Sequence, residues 1–166
     1  MKLYYLKFSI FYGGIKINDE VFSKDLFGAM LFLLNKNHHT YLNDHFKEYG
    51  INLIQGLIIL KLSDFPDTTQ KELGEYLNLS KGSVAKYLAN LEENGFIVRE
   101  KMQDNQRMYK LSLQEKAFDL IPKLQKISKD WENQTGLDSF NPEFLSDFKK
   151  LVANSKFVLE NENDGV

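Results

Sequence analysis

TTQKELGEYLNLSKGSVAKYLANLEENGFIVREKMQDNQRMYKLSL, residues 68–113, holds the densest set of helix caps, turn residues and alternating apolar positions in the chain. Thr69 and Glu72 stand at capping-box spacing: the Thr69 hydroxyl can accept from the Glu72 amide while the Glu72 carboxylate reaches back to the Thr69 amide. The helix that starts there turns Leu73 and Leu77 inward, and Gly74 leaves room for another helix to approach closely. Asn78-Leu79 reads as a tight turn and Ser80 as the N-cap of a second helix. In that helix Val84, Leu88 and Leu91 form a buried stripe, while Gly82, Ser83, Lys86 and Asn90 fall on opposite or flanking faces. Gly95 suits the left-handed position past a helix end, and Phe96 can fold back over it. Ile97 to Lys101 then reads as a strand, residues 102–106 as a hairpin tip, and residues 107–113 as the returning strand, with Tyr109, Leu111 and Leu113 on one face.

Two short helices joined by a tight turn and followed by a two-stranded ribbon is the order of a winged helix-turn-helix. Such a module lays its second helix in a DNA major groove. The outward face of that helix agrees, being small or basic rather than acidic. Gly82 and Ser83 let its N-terminus approach phosphates and bases, and Lys86 sits where a long cation reaches a base edge or a phosphate.

Outward from this stretch the chain is helical. From about Ser23, capped by Ser23 or Asp25, a long helix carries Leu26, Met30, Leu33, Leu34, Tyr41, Leu42 and Phe46 on a broad apolar face and ends at Gly50. Asn52 to Leu62 is apolar nearly all round and is expected to be central core, closed by a loop over residues 63–66. Beyond the ribbon, Gln114 to about Thr135 reads as a helix with Phe118, Ile121, Leu124, Ile127 and Trp131 inward and a kink at Pro122. Asn141-Pro142-Glu143 restarts an amphipathic helix bearing Phe144, Phe148, Leu151, Val152 and Leu159. Residues 1–22 read as an extension, extended or hairpin-like around Gly13-Gly14, and residues 161–166 as an acidic, fraying tail. The expected class is mainly α, with a two-stranded β wing and long N- and C-terminal helices.

Composition narrows the chemistry. The 166 residues are 43% hydrophobic and 27% charged, ordinary for a globular chain, and contain no cysteine. Disulfides, thiolate metal sites and cysteine redox sensing are therefore excluded. The net charge is -2, yet residues 80–110 hold six bases against four acids. That segment is +2 and the remainder -4, a bias in the direction DNA binding requires. No apolar run spans a bilayer, and Lys7 interrupts the opening apolar stretch that resembles a secretory signal, so a cytoplasmic chain is expected. No phosphate-binding glycine loop, nucleophile elbow, HExxH or Cys-His pair is present, and no enzyme is expected.

SKGSVAKYLANLEENGFIVREK followed by NQRMYKLSLQEKA resembles the MarR family of transcriptional regulators. The family's recognition helix, its Leu-Glu-x-x-Gly bend and its Asp-x-Arg wing motif have counterparts here, and the resemblance covers roughly residues 23–160. It implies that residues 69–94 are the helix-turn-helix and 97–113 the wing of a reading core (52–113), with residues 23–50 and 114–160 as dimerisation helices. It also implies that the recognition helix, Ser80 to Asn90, meets double-stranded operator DNA through Ser80, Lys81, Gly82, Ser83, Lys86, Tyr87 and Asn90. Thr69 and Gln70 at the start of the preceding helix join them. From the wing, Lys101, Asn105, Arg107 and Lys110 complete the set, with Arg107 entering the minor groove. Asn105 replaces the family's usual aspartate, so the ion pair that fixes the wing arginine is absent or comes from Asp104.

The resemblance further implies a homodimer on a palindromic site, a repressor, and a small aromatic or phenolic acid as effector, near which Tyr41 and Trp131 could lie. His38, His39 and His45 share the first long helix. Without cysteine their partners in a metal site would have to be carboxylates, so solvated or dimer-contact histidines are expected, with no metal and no cofactor. The alternative reading is a winged-helix protein–protein module without specific DNA binding, which the near-neutral charge keeps open. A third is a ligand-binding protein whose DNA affinity is vestigial.

Overall fold

The computed structural model describes residues 26–101 and 109–163. The expected N-terminal extension (1–22), the caps at Ser23 and Asp25, the hairpin tip with Asn105 and Arg107, and residues 164–166 lie outside the described residues. In order come α1 (Leu26–Lys47), α2 (Leu53–Asp64), α3 (Gln70–Leu77), α4 (Lys81–Glu93), β1 (Ile97–Lys101), β2 (Tyr109–Leu113), α5 (Glu115–Gln134), a 3-10 turn (Leu137–Ser139) and α6 (Pro142–Asn163). The strands pair antiparallel, Ile97 opposite Leu113 and Lys101 opposite Tyr109. This is a helical fold with a two-stranded wing.

α2 organises it. Asn52 caps the helix, its side chain accepting from the Gln55 N–H at 3.0 Å while Gln55 accepts from the Asn52 N–H at 2.8 Å. Beyond the cap the helix is apolar nearly all round, so it is stable only when surrounded. α1, α4, α5 and β2 all pack against it. Leu42 and Phe46 of α1, Ile58, Ile59 and Leu62 of α2, Leu73 of α3, and Val84, Leu88 and Leu91 of α4 meet Leu111 of β2 and Leu124 of α5 in one core. Each large aliphatic side chain so buried contributes about 1.5–3 kcal/mol. Phe46 reaches α2 because residue 56 is glycine: a Cβ there would stand 2.4 Å from the ring.

Several local expectations are revised. α2 runs through Ser63 and Asp64, where a loop was expected, and ends with the Phe65 N–H donating to the Lys61 carbonyl at 2.9 Å. Phe118 points outward at 58% exposure. The inward face of α5 is instead Ala117, Leu120, Ile121, Leu124 and Ile127, a stripe in which the small Ala117 gives little sequence signal. Leu77 is only half-buried. Met30 and Leu34 of α1, and Phe144, Leu151 and Val152 of α6, are exposed although periodicity places them on apolar faces. Those faces exist, but no described part of the chain covers them.

Candidate nucleic-acid interface

The core of the site is α3, its turn, and α4. The capping box forms as the spacing predicts: the Thr69 hydroxyl accepts from the Glu72 N–H at 3.3 Å, and Glu72 accepts from the Thr69 N–H at 2.7 Å. The bonds to Thr69, led by its backbone N–H, hold the Glu72 carboxyl below the usual carboxylate range. Asn78 then takes the left-handed conformation at φ 51°, turning the chain sharply enough to bring α4 across α3. What approaches Gly74 is this turn itself, since a Cβ at residue 74 would stand 3.1 Å from the Leu79 carbonyl. Ser80 caps α4, accepting from the Ser83 N–H at 3.2 Å and sharing a hydroxyl hydrogen bond with Ser83 at 3.0 Å.

Val84, Leu88 and Leu91 seat α4 in the core with no exposed surface. Its first turn is therefore left facing outward. Ser80, Lys81, Gly82 and Lys86 are exposed and Ser83 is half-buried, and no acid stands in that turn. Helix geometry gives the leading N–H groups no intrahelical acceptor, so a cationic side and a positive dipole end face solvent together. Gln70 sits beside this turn and donates through Nε2 to the Lys81 carbonyl at 3.2 Å, tying the start of α3 to the start of α4. Thr69 and Gln70 line an open groove with Asn78, Ser80, Lys81 and Tyr109 of the wing.

Two of the expected contact residues have other partners within the chain. Tyr87 is half-buried and packs against the core. The Asn90 side chain accepts a hydrogen bond from Gln55 of α2, and its carbonyl accepts from the Asn94 side chain at 2.8 Å. In the wing, Lys101 and Lys110 are exposed, and Lys110 stands opposite Glu100 in the strand register. Arg99, one of the six bases between residues 80 and 110, is bound to Glu92 at the end of α4. Its Nε donates to the Glu92 carboxylate at 2.8 Å, and its backbone N–H donates to the same side chain at 3.1 Å. This fork holds the Glu92 carboxyl below its usual range and fixes where β1 leaves α4. Sequence periodicity could not find it, because the two residues sit on different elements.

Away from α4, His38 and Tyr41 of α1 meet Trp131 of α5, and His45 stands against Tyr41. The His38 and Tyr41 ring centroids stand 5.5 and 5.2 Å from that of Trp131, and the Tyr41 hydroxyl accepts from Gln134 at 3.1 Å. Burial first, then the neighbouring His39, lowers the His38 imidazole pKa below 6.5, with Glu132 pulling the other way. Among the described residues no group of three or more His, Asp or Glu side chains is placed to hold a metal, and no helix is long and apolar enough to cross a membrane.

Comparison with known proteins agrees with this arrangement. The MarR family profile matches residues 51–109, from two residues before α2 to the first residue of β2. The transcriptional regulator SarZ of Staphylococcus epidermidis is 28% identical over 91 residues, 55% of this chain and 62% of SarZ, so the match spans less than two thirds of that relative. The crystal structure of MarR is 25% identical, covers 84% of this chain and 97% of its own, and superposes with a TM-score of 0.71. A MarR-family regulator from Listeria monocytogenes, solved in complex with a 26mer DNA, shares the fold at a TM-score of 0.72 and 18% identity, over 80% of this chain and 88% of that one.

Proposed function

We propose that the chain is a MarR-family regulator that binds palindromic operator DNA as a homodimer and represses transcription in the cytoplasm. The observation that carries this reading is the first turn of α4, which is exposed, free of acids and flanked by Lys81 and Lys86. Ser80, Gly82 and Ser83 there are small enough for the helix end to reach the major groove floor. The wing strands carry Lys101 and Lys110 toward the neighbouring backbone, and Arg107 at the hairpin is assigned to the minor groove. Residues 52–113 form the reading part and residues 23–50 and 114–160 the pairing part. The exposed apolar side chains of α1 and α6 support that division, since monomers rarely leave such faces in water. Two modules about 10 base pairs apart read both halves of a palindrome. A small aromatic or phenolic acid, held where the pairing and reading parts meet, relieves repression.

DNA from upstream of the chain's own gene, compared with a scrambled duplex in a salt titration, tests the reading. Operator affinity should exceed that for the scrambled duplex and fall steeply as salt rises. Equal affinity for both duplexes at every salt would overturn it. Sedimentation should report about 39 kDa, twice the 19.4 kDa chain, and a clean monomer would remove the two-half-site geometry.

A further inference from the structure

Gln55 and Thr68 are the buried polar side chains among the described residues. Thr68 closes its own turn, donating to the Phe65 carbonyl at 2.7 Å. Gln55 is a different case, because it lies at 6% exposure on α2, the most apolar helix of the fold. A carboxamide removed from water costs free energy unless its groups are bonded, and here both ends are. Oε1 accepts from the Asn52 N–H at 2.8 Å, a bond any glutamine or glutamate at that helix position can make. Nε2 donates across to Oδ1 of Asn90 on α4, thirty-five residues away in sequence. The same turn of α2 anchors α1, since the Leu53 N–H donates to Asn43 at 3.2 Å.

We propose that Gln55 is a positioning residue for DNA reading: its carboxamide, fixed in the first turn of α2, sets the roll of α4 through Asn90. The proposal rests on the DNA-binding reading above. The stripe of Val84, Leu88 and Leu91 keeps α4 on the core, but dispersion contacts vary gently with small rotations. A hydrogen bond is directional and weakens steeply off line. A roll of about 10° moves atoms about 6 Å from a helix axis by about 1 Å. That is more than a base-edge hydrogen bond tolerates, while a phosphate contact through a flexible lysine absorbs it. Gln55 therefore governs sequence discrimination rather than overall DNA attraction. With Gln70 tied to Lys81 at the other end, α4 is held by one amide from each neighbouring helix.

The test measures affinity for the upstream operator fragment and for a scrambled duplex, for wild type, Gln55→Met, Asn90→Ala, the double variant and Gln55→Glu. Gln55→Met should lower the operator-to-scrambled ratio by about tenfold while leaving scrambled-duplex affinity within about twofold. Simple destabilisation would lower both together. The double variant should lose no more discrimination than Gln55→Met alone, because both changes cut one link. Additive losses would mean that Asn90 touches DNA directly, and the proposal would be overturned. Gln55→Glu should restore the ratio, since the carboxylate still accepts from Asn52 and can take the Asn90 amide turned end for end; no recovery also counts against it. If wild type prefers no DNA at all, the regulator reading fails by itself. The link is then judged by the same cycle in thermal unfolding, where additivity of the two substitutions would overturn it.

Discussion

Replacing Gly56 by alanine should destabilise the protein, although alanine is the better helix former. The propensity gain is about 1 kcal/mol at a helix-interior position. Against it stands Phe46, whose ring carbons would lie 2.4 and 2.5 Å from the new methyl. The ring has no exposed surface, so it cannot swing into solvent and must push into the core. Overpacking of this kind costs about 1–3 kcal/mol, and a clash with two ring atoms belongs at the upper end. The net loss is then about 2 kcal/mol, or roughly 4–8 °C in Tm at roughly 2–4 °C per kcal/mol. Gly82→Ala provides the contrast, because its new methyl would meet nothing nearer than the Ser80 hydroxyl at 4.0 Å. It should raise Tm by up to about 4 °C in the DNA-free protein while weakening operator binding. Thermal melts followed by circular dichroism compare the two, and adding Phe46→Leu should return part of the stability lost by Gly56→Ala. Gly56→Ala melting at or above wild type would refute the account of how α1 seats on α2.

Three further outcomes follow from the site. Lys86→Ala should lower operator affinity without changing Tm and flatten the log–log salt slope by about one; an unchanged slope and affinity would remove Lys86 from the interface. Glu92→Ala strips the partner from a half-exposed Arg99 and should cost about 1 kcal/mol in urea denaturation, whereas wild-type stability would show that β1 is set without the pair. On acidification Tm should fall in two stages. His38 has its folded pKa lowered, so its contribution is present above 6.5 and declines as pH falls below that value. Glu72 and Glu92 are likewise lowered, so theirs is present above 4.5 and is lost as pH drops through their depressed folded values. Glu72→Gln should flatten the lower stage, and an identical acid limb would exclude the capping carboxylate as its source.

The helix-turn-helix was legible in the sequence because its determinants are local. Thr69 with Glu72, Ser80 as a cap, Gly95 past the helix end and the stripe of Val84, Leu88 and Leu91 each act within a few residues, and each takes its expected place. Asn52 with Gln55 follows the same capping rule but hides inside an apolar run, where Asn52 reads as the first helical residue rather than its cap. Contacts that join distant elements leave no periodic trace. Glu92 to Arg99, and Gln55 to Asn90, emerge only when the helices are assembled. Phe118 misled for another reason: a bulky aromatic outweighs a neighbouring alanine in any apolar count, yet Ala117 is the residue that faces the core. On α1 and α6 the apolar pattern is present, but no described part of the chain covers it.

α2 has a consequence for how the molecule comes apart. It is apolar nearly all round, and its cover comes in two parts, α1 and α5 on the one hand and α4 and β2 on the other. Removing either part would strip α2 of half its cover. The two parts are thus one cooperative unfolding unit, with a single transition expected rather than two. A fragment cut to residues 66–113 would leave Leu88, Leu91 and Leu111 facing the space where α2 had been. In this architecture α3, α4 and the wing cannot be excised or grafted without the helix that also seats α1 and α5.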